Sequence, residues 1–532
     1  MNFFYLFKTM PLPVVAILLP LAAAAVFGAI LLYNRFVSRL TGRMLRLSRL
    51  WYKLPFLLVL LIEAAVSFIV WSETGASERH VYALANSGWT AVLQGGAAEQ
   101  LLAALKVDSF GAVSAALMSF IALTAGLRAL SDKRNVITPR KIVFFLLACA
   151  GIQGIFYSSS LTLLALFLLL TQLGVTGLYS DYAVKKKESG GFPCYYISRV
   201  LLLLMFAAGV AILKVEFGTD NIGALASLLT DSSASLWAFI LMIVPLLYIF
   251  VKPSPYMSDA SKICFFGIRT QASLFAAFRV IFSLYGPMQG LQKVPYLFIM
   301  LGFASIFIAV CCSCGVRDPE RFLDSMMMYI KGVVLVSIGI AMNGSFTAER
   351  AALYGVSALE SMISLWLIFL PVSATLSIIT VFLKQEHEGM ELWQCGELAD
   401  RAPISSFALL FVVMVLAGLP PLIGYSAKQL LFRSASFISP FIMIFLFLST
   451  LLMLLTGLRF IIRLAERGSS RKMEYNFSGE STVAFPLILL LAFFVATASA
   501  PGALFERAVA PAANSLINRI IPSDSGGGEV GN

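Results

Sequence analysis

Long apolar runs separated by short polar stretches dominate this chain, and their lengths decide the elements. Runs of about 17 to 25 apolar residues are what an α-helix needs to cross the roughly 30 Å hydrocarbon core of a bilayer. Such runs stand at about 11–33, 54–71, 109–130, 141–158, 160–182, 196–216, 235–258, 271–287, 295–315, 325–342, 350–383, 404–431, 437–463 and 481–501. The pattern predicts an all-α polytopic membrane protein with about 14 transmembrane helices.

Two of these runs are interrupted. In the twelfth, Ala417-Gly-Leu-Pro-Pro-Leu-Ile-Gly-Tyr-Ser-Ala-Lys428 places Pro420, Pro421 and Gly424 in mid-run, where a helical ladder cannot be sustained. Irregular backbone at that depth survives only where it is packed in protein or lines a wet cavity. In the seventh, Pro245 is followed by Lys252-Pro253-Ser254-Pro255, so Pro253 and Pro255 stand beside a lysine. Broken helices 7 and 12 lie five helices apart, which predicts two inverted five-helix repeats with a transport site where they meet. The bland alternative is chance proline kinks in a many-helix protein.

The resulting organisation is helices 1–2 and an external loop over 1–108, and helix 3 with a basic loop over 109–140. The first repeat covers 141–290 and the second 291–465, followed by helix 14 over 466–505 and an external flexible tail over 506–532.

Composition agrees: 59% of the residues are hydrophobic and 13% charged, too little polar surface to cover a soluble globule. The net charge of +11 sits in short loops, which makes it a topology signal and excludes a nucleic-acid partner. Arg35, Arg39, Arg43, Arg46, Arg49 and Lys53 mark the first loop as cytoplasmic, and Glu73, Glu78, Glu99 and Asp108 the next as external. Alternation then puts both termini on the non-cytoplasmic side of a bacterial inner membrane or an organellar equivalent. Cys311, Cys312 and Cys314 lack a partner cluster at metal-site spacing, so neither zinc nor an iron–sulfur cluster is expected. No dinucleotide fingerprint is present, and no cofactor is expected on this chain. The first apolar run fits a retained span better than a signal peptide.

Ionisable residues inside spans are functional candidates by default. Lys428 follows the Pro-Pro break within two helical turns, and it reads either as a proton-loading site or as a snorkelling lysine. Lys252 has the same two readings. Arg279 is eight residues into its span and suits an electrostatic role or a structural pair. Glu360 lies deep in the eleventh span, as a counter-charge for Arg279 or Lys428 or as a helix–helix hydrogen-bonding group. Lys331 lies nearer the cytoplasmic end of its span. Tyr425, Ser426, Ser357 and Gln172 can hold water, though small polar groups are common at membrane helix interfaces for packing alone.

The stretch Gly418-Leu-Pro-Pro-Leu-Ile-Gly-Tyr-Ser-Ala-Lys428 resembles the Gly-Leu-Pro-Pro-x-x-Gly-Phe-x-x-Lys of the antiporter-like membrane subunits shared by respiratory complex I (NADH-quinone oxidoreductase) and the Mrp-type multisubunit cation/proton antiporters. Leu398-Ala-Asp-Arg-Ala-Pro403 resembles the segment before the family's twelfth helix, and Arg317-Asp-Pro-Glu-Arg321 stands where the family has an Asp-x-Lys-Arg step. The resemblance implies two half-channels joined by buried charges along the midplane, carrying protons, or Na+ in some members, beside other hydrophobic subunits. It gives Lys428 the place of the twelfth-helix lysine, while Lys331 reads either as a member of the inner half-channel or as a lysine near the cytoplasmic end of its span. It also implies that redox chemistry, in a complex I setting, belongs to partner subunits.

This chain departs from that pattern at several positions. Gln172 takes the place of a fifth-helix glutamate and cannot supply the negative charge that offsets a buried lysine. The seventh-helix lysine position falls on Phe250, with Lys252 two residues on. Arg279 takes the eighth-helix position and cannot release its proton at usable pH. The only histidines are His80 and His387, both in loops. A divergent scaffold that no longer pumps and a stand-alone secondary carrier are therefore the competing readings.

Overall fold

The computed structural model describes residues 12–41, 49–75, 82–83, 104–131, 137–185, 191–229, 231–251, 268–286, 288–315, 319–386, 402–465 and 480–517. They run as α1 (Leu12–Thr41), α2 (Arg49–Gly75), α3 (Ser109–Ser131), α4 (Pro139–Tyr157), α5 (Leu161–Lys185), α6 (Gly191–Phe217), the short α7 (Ile222–Leu228) and α8 (Ser233–Val251). Next come α9 (Thr270–Phe278, continued by a π turn over Arg279–Tyr285), α10 (Val294–Gly315), α11 (Pro319–Gly344) and α12 (Val356–Glu386). The chain closes with α13 (Pro403–Ala417), α14 (Ile423–Ile438), α15 (Pro440–Ala465), α16 (Glu480–Ser499) and α17 (Ala510–Ile517). A two-residue antiparallel pair, β1 (Tyr82–Ala83) and β2 (Lys106–Val107), precedes α3.

Among the described residues eleven helices are long and apolar enough to cross a membrane, or twelve spans with the bent pair at the C-terminal end. The chain is an integral membrane protein. Two expected runs take a different form: the run expected at 271–287 contains the nine-residue α9 and its π turn, which ends at Tyr285, and 404–431 is divided between α13 and α14. Residues 510–517, expected in a flexible tail, form α17. It follows a 97° bend at Ala500, which leaves helical geometry (φ −139°, ψ 61°) just before Pro501, a residue without an N–H for the ladder.

The central element is α12, packed against α3, α11, α13, α14, α16 and α17. Its hydroxyl side chains survive there because Ser373, Thr375, Ser377 and Thr380 each donate to a carbonyl one turn back. Close approaches use small residues: Gly151 and Gly154 of α4 lie against Phe167 and Thr171 of α5, and Gly302 of α10 against Gly332 and Val336 of α11. Such van der Waals contact drives association where lipid is as apolar as the helix faces.

Candidate functional site

The site begins with the end of α13. Gly418 adopts φ 71°, its N–H donates to the Val415 carbonyl at 3.1 Å, and the Leu419 N–H donates to the Met414 carbonyl at 3.1 Å. That pairing is a Schellman cap, which glycine accommodates because it has no Cβ. It satisfies two of the last four carbonyls of α13 and leaves the Leu416 carbonyl without a helical partner.

Lys428, on the second turn of α14, takes up that carbonyl. Its Nζ donates to the Leu416 oxygen and lies 3.2 Å from Thr450 Oγ1 of α15 and 3.4 Å from the Tyr329 hydroxyl of α11. The ammonium also stands 5.4 Å from the Tyr329 ring centroid, and the Tyr329 and Thr450 hydroxyls are 3.0 Å apart. Lys428 is 6% exposed, so it is enclosed rather than snorkelling to a surface. Each of these partners is neutral, and among the described residues no carboxylate makes an ion pair with it.

Gly424 sets how closely α14 approaches α13. A Cβ there would overlap the Val415 carbonyl oxygen. Gly424→Ala should therefore destabilise the purified protein by about 1–3 kcal/mol, the usual cost of overpacking. An unchanged thermal midpoint would mean that the two helices are not in tight contact.

The other expected residues are distributed over α8 to α12. Lys331 is buried on α11, its Nζ 5.8 Å from the ring centroid of Phe250 on α8, with Arg269 and Asp324 near enough to act on its charge. Glu360 is half-buried on α12. Its neighbour Ser361 donates to the Ala427 carbonyl at 2.9 Å, which ties α12 to the residue before Lys428. Gln172 is buried on α5, and its Oε1 has no hydrogen-bond partner. Lys252, Pro253 and Pro255 lie outside the described residues.

Arg279 pairs with Asp108, and not with Glu360, one of its candidate counter-charges. Its guanidinium makes a two-pronged bridge to Asp108, at 2.5 and 2.8 Å, and lies 5.1 Å from the Phe275 ring centroid. Asp108 also caps α3, accepting from the Gly111 N–H at 2.7 Å. The same carboxylate thus serves the N-terminus of α3 and the guanidinium of Arg279. An acid directly before an apolar run is a readable cap signal. Nothing in the sequence marks Tyr329 or Thr450 as neighbours of Lys428. No group of three or more His, Cys, Asp or Glu side chains converges among the described residues.

No family model matches the chain. Similarity to curated proteins includes NADH-quinone oxidoreductase subunit N of Myxococcus xanthus, 23% identical over 335 residues, 57% of this chain and 64% of the relative. Subunit N of Desulforamulus reducens is 23% identical over 270 residues, 48% of this chain and 53% of the relative. The chain thus spans less than two thirds of the length of these relatives. A chain of the Mrp complex from Dietzia sp. DQ12-45-1b superposes with a TM-score of 0.72 at 18% identity, covering 96% of this chain and 100% of that one. The chain has the antiporter-like subunit fold. A chain of Thermus thermophilus respiratory complex I with bound NADH shares that antiporter-like fold, with a TM-score of 0.69 at 15% identity over 96% of this chain and 100% of that one. A chain of an archaeal membrane-bound sulfane sulfur reductase gives 0.73 at 14% identity, covering 96% and 99%. The antiporter-like resemblance read from Gly418 to Lys428 is borne out by these relatives.

Proposed function

We propose that the chain is a proton- or Na+-translocating membrane subunit of a multisubunit complex, either a cation/proton antiporter or an NADH-quinone oxidoreductase. The observation that carries this reading is Lys428, enclosed at a helix discontinuity with neutral partners. An ionisable group in such a place is costly, and it is retained where charge has to pass. The position of α11 supports a continuation: Tyr329 faces Lys428, and Lys331, two residues on and about 200° round the helix, faces α8. Buried cations on opposite faces of one helix form two steps of a line across the bundle. Arg279, held by Asp108 and unable to release its proton, sets a field at the edge of that line. Glu360 and Lys252 are further members.

The same proposal reads α13 with α14 as one interrupted span and α9 with its π turn as another, raising the twelve spans to fourteen. It includes two inverted repeats, broken helices 7 and 12, both termini on the non-cytoplasmic side, and neighbouring hydrophobic subunits as partners. Gln172 supports a second reading, a scaffold that no longer pumps, because its amide stands where the resemblance implies an acid.

The test is to purify the tagged chain in mild detergent from its native membrane, identify what co-purifies, and reconstitute the complex in liposomes carrying a pH-sensitive dye. Co-purifying hydrophobic subunits with proton or Na+ movement are expected. A lone chain would sink the subunit assignment, and a complex that moves neither ion would favour the scaffold.

A further inference from the structure

An apolar slot of about 350 Å³ lies apart from the polar line, with α3 and α12 as its floor and α2 and α16 as its sides. On the α2 side Phe68 is 58% exposed, and on the α16 side Ala492 and Ala496 are exposed, so the slot opens sideways between these two helices. Because α2, α3 and α12 are membrane spans and α16 is the first arm of the bent pair, that opening faces hydrocarbon. Along α3 the slot runs from Val113 to Phe120, seven residues or about 10 Å of helix. It therefore fits within one leaflet, whose hydrocarbon is about 15 Å deep. Leu504 and Ala508, beyond the 97° bend, close over one end, and the exposed Glu506 and Arg507 stand on the same turn. Trp71 lines the slot near the end of α2, as suits an interfacial ring.

The walls and the size of the slot select its occupant. Apart from the Trp71 indole nitrogen, every lining side chain is hydrocarbon, and apolar cavities of this kind stay free of water. A helix from a neighbouring subunit is too thick: at about 10 Å across, a 10 Å length of helix fills roughly 800 Å³, more than twice the slot. A single hydrocarbon tail is slim enough, asks for no polar partner, and is always at hand in a bilayer. Glu506 and Arg507 offer one charge of each sign beside the closed end, which complements a zwitterionic headgroup carrying a phosphate. We propose that the slot between α2 and α16 holds one acyl chain of a zwitterionic phospholipid, with its headgroup at the Glu506–Arg507 turn.

The tail lies behind the interrupted span. Ile423, the first residue of α14 and five before Lys428, lines the slot, as does Pro371 of α12. Proline has no N–H, so the carbonyl of Leu367, another lining residue, lacks its ladder donor and α12 is weakest at this wall. Filling the slot supplies packing at that point. The tail differs in this from the lipid that meets the open face of α15, where Phe441 is 82% exposed. It is bound whether or not the chain translocates ions.

The experiment places the full chain, with the subunits it purifies with, in liposomes of phosphatidylethanolamine and phosphatidylglycerol. A trace of the phosphatidylethanolamine carries a diazirine in its acyl chain, and mass spectrometry maps the adducts formed on irradiation. Adducts on the slot residues of α3 and α16 are expected in the wild type, beside those at Phe441 on the open face of α15. Ala116→Phe, which puts a ring into the slot from α3, should lower the slot adducts about tenfold, a binding loss of about 1.4 kcal/mol, and leave those at Phe441 unchanged. Ala492→Phe fills the slot from α16 and serves if Ala116→Phe does not fold. A labelled Phe441 beside an unlabelled slot, the result expected if side chains of a neighbouring subunit fill it, would overturn the site. So would slot adducts that persist once a phenyl ring occupies the slot.

Discussion

Replacing Lys428 by methionine should cut ion translocation by the reconstituted complex at least about tenfold, a barrier increase of about 1.4 kcal/mol or more. The protein should remain folded. Methionine fills a similar volume without a charge, and exchanging a buried ionic group for a well-packed apolar one is often neutral or stabilising. The Tyr329 and Thr450 hydroxyls stay paired, lying 3.0 Å apart, while the Leu416 carbonyl loses its donor, a cost of about 1–3 kcal/mol. Lys428→Arg separates charge from proton exchange: the guanidinium keeps the positive charge but holds its proton. A proton relay predicts that both variants fail. Full activity in Lys428→Arg with loss in Lys428→Met would make the residue a fixed charge, and full activity in both would return the chain to the scaffold reading.

The second large effect concerns stability. Asp108→Ala should destabilise the protein by about 3–5 kcal/mol, the range for breaking a buried pair and leaving the other charge uncompensated. Loss of the α3 cap adds about 1 kcal/mol. The pair is well shielded, with side-chain exposures of 6% for Arg279 and 16% for Asp108, so solvent screening does little to soften the loss. Asp108→Asn keeps a capping oxygen and should recover part of the cap contribution, while Asp108→Ala with Arg279→Met should cost less than the two single changes combined. Thermal unfolding of the four purified variants measures this. Additive single effects would mean that the bridge contributes nothing beyond its separate parts.

The Asp108–Arg279 bridge also shows where sequence reading stopped. Both residues were visible as charges in or beside apolar runs, but their 171-residue separation hid the pairing, and Glu360 reads as a counter-charge for Arg279 or Lys428 or as a helix–helix hydrogen-bonding group. Asp108 was legible as a loop acid that orients the chain. Its position directly before Ser109 also carries a cap signal, which locates the carboxylate at the start of α3 but says nothing of Arg279.

Lys428 illustrates the opposite case. Its importance was readable because prolines and glycines interrupt a run otherwise long enough to span a bilayer, a purely local conflict between ladder chemistry and lipid. What the lysine touches was not readable. Leu416 presents its carbonyl only because Gly418 ends α13 in a left-handed turn, and Tyr329 and Thr450 arrive from helices about 100 and 22 residues away.

Membrane residence and helical build were set by the sequence itself, because run length and hydropathy must match a slab of fixed thickness that accepts no unpaired backbone. The partner of each buried charge was decided by tertiary structure alone. Pairing depends on which faces of distant helices meet, and along an apolar run almost every face is equally greasy, so periodicity leaves the choice to packing.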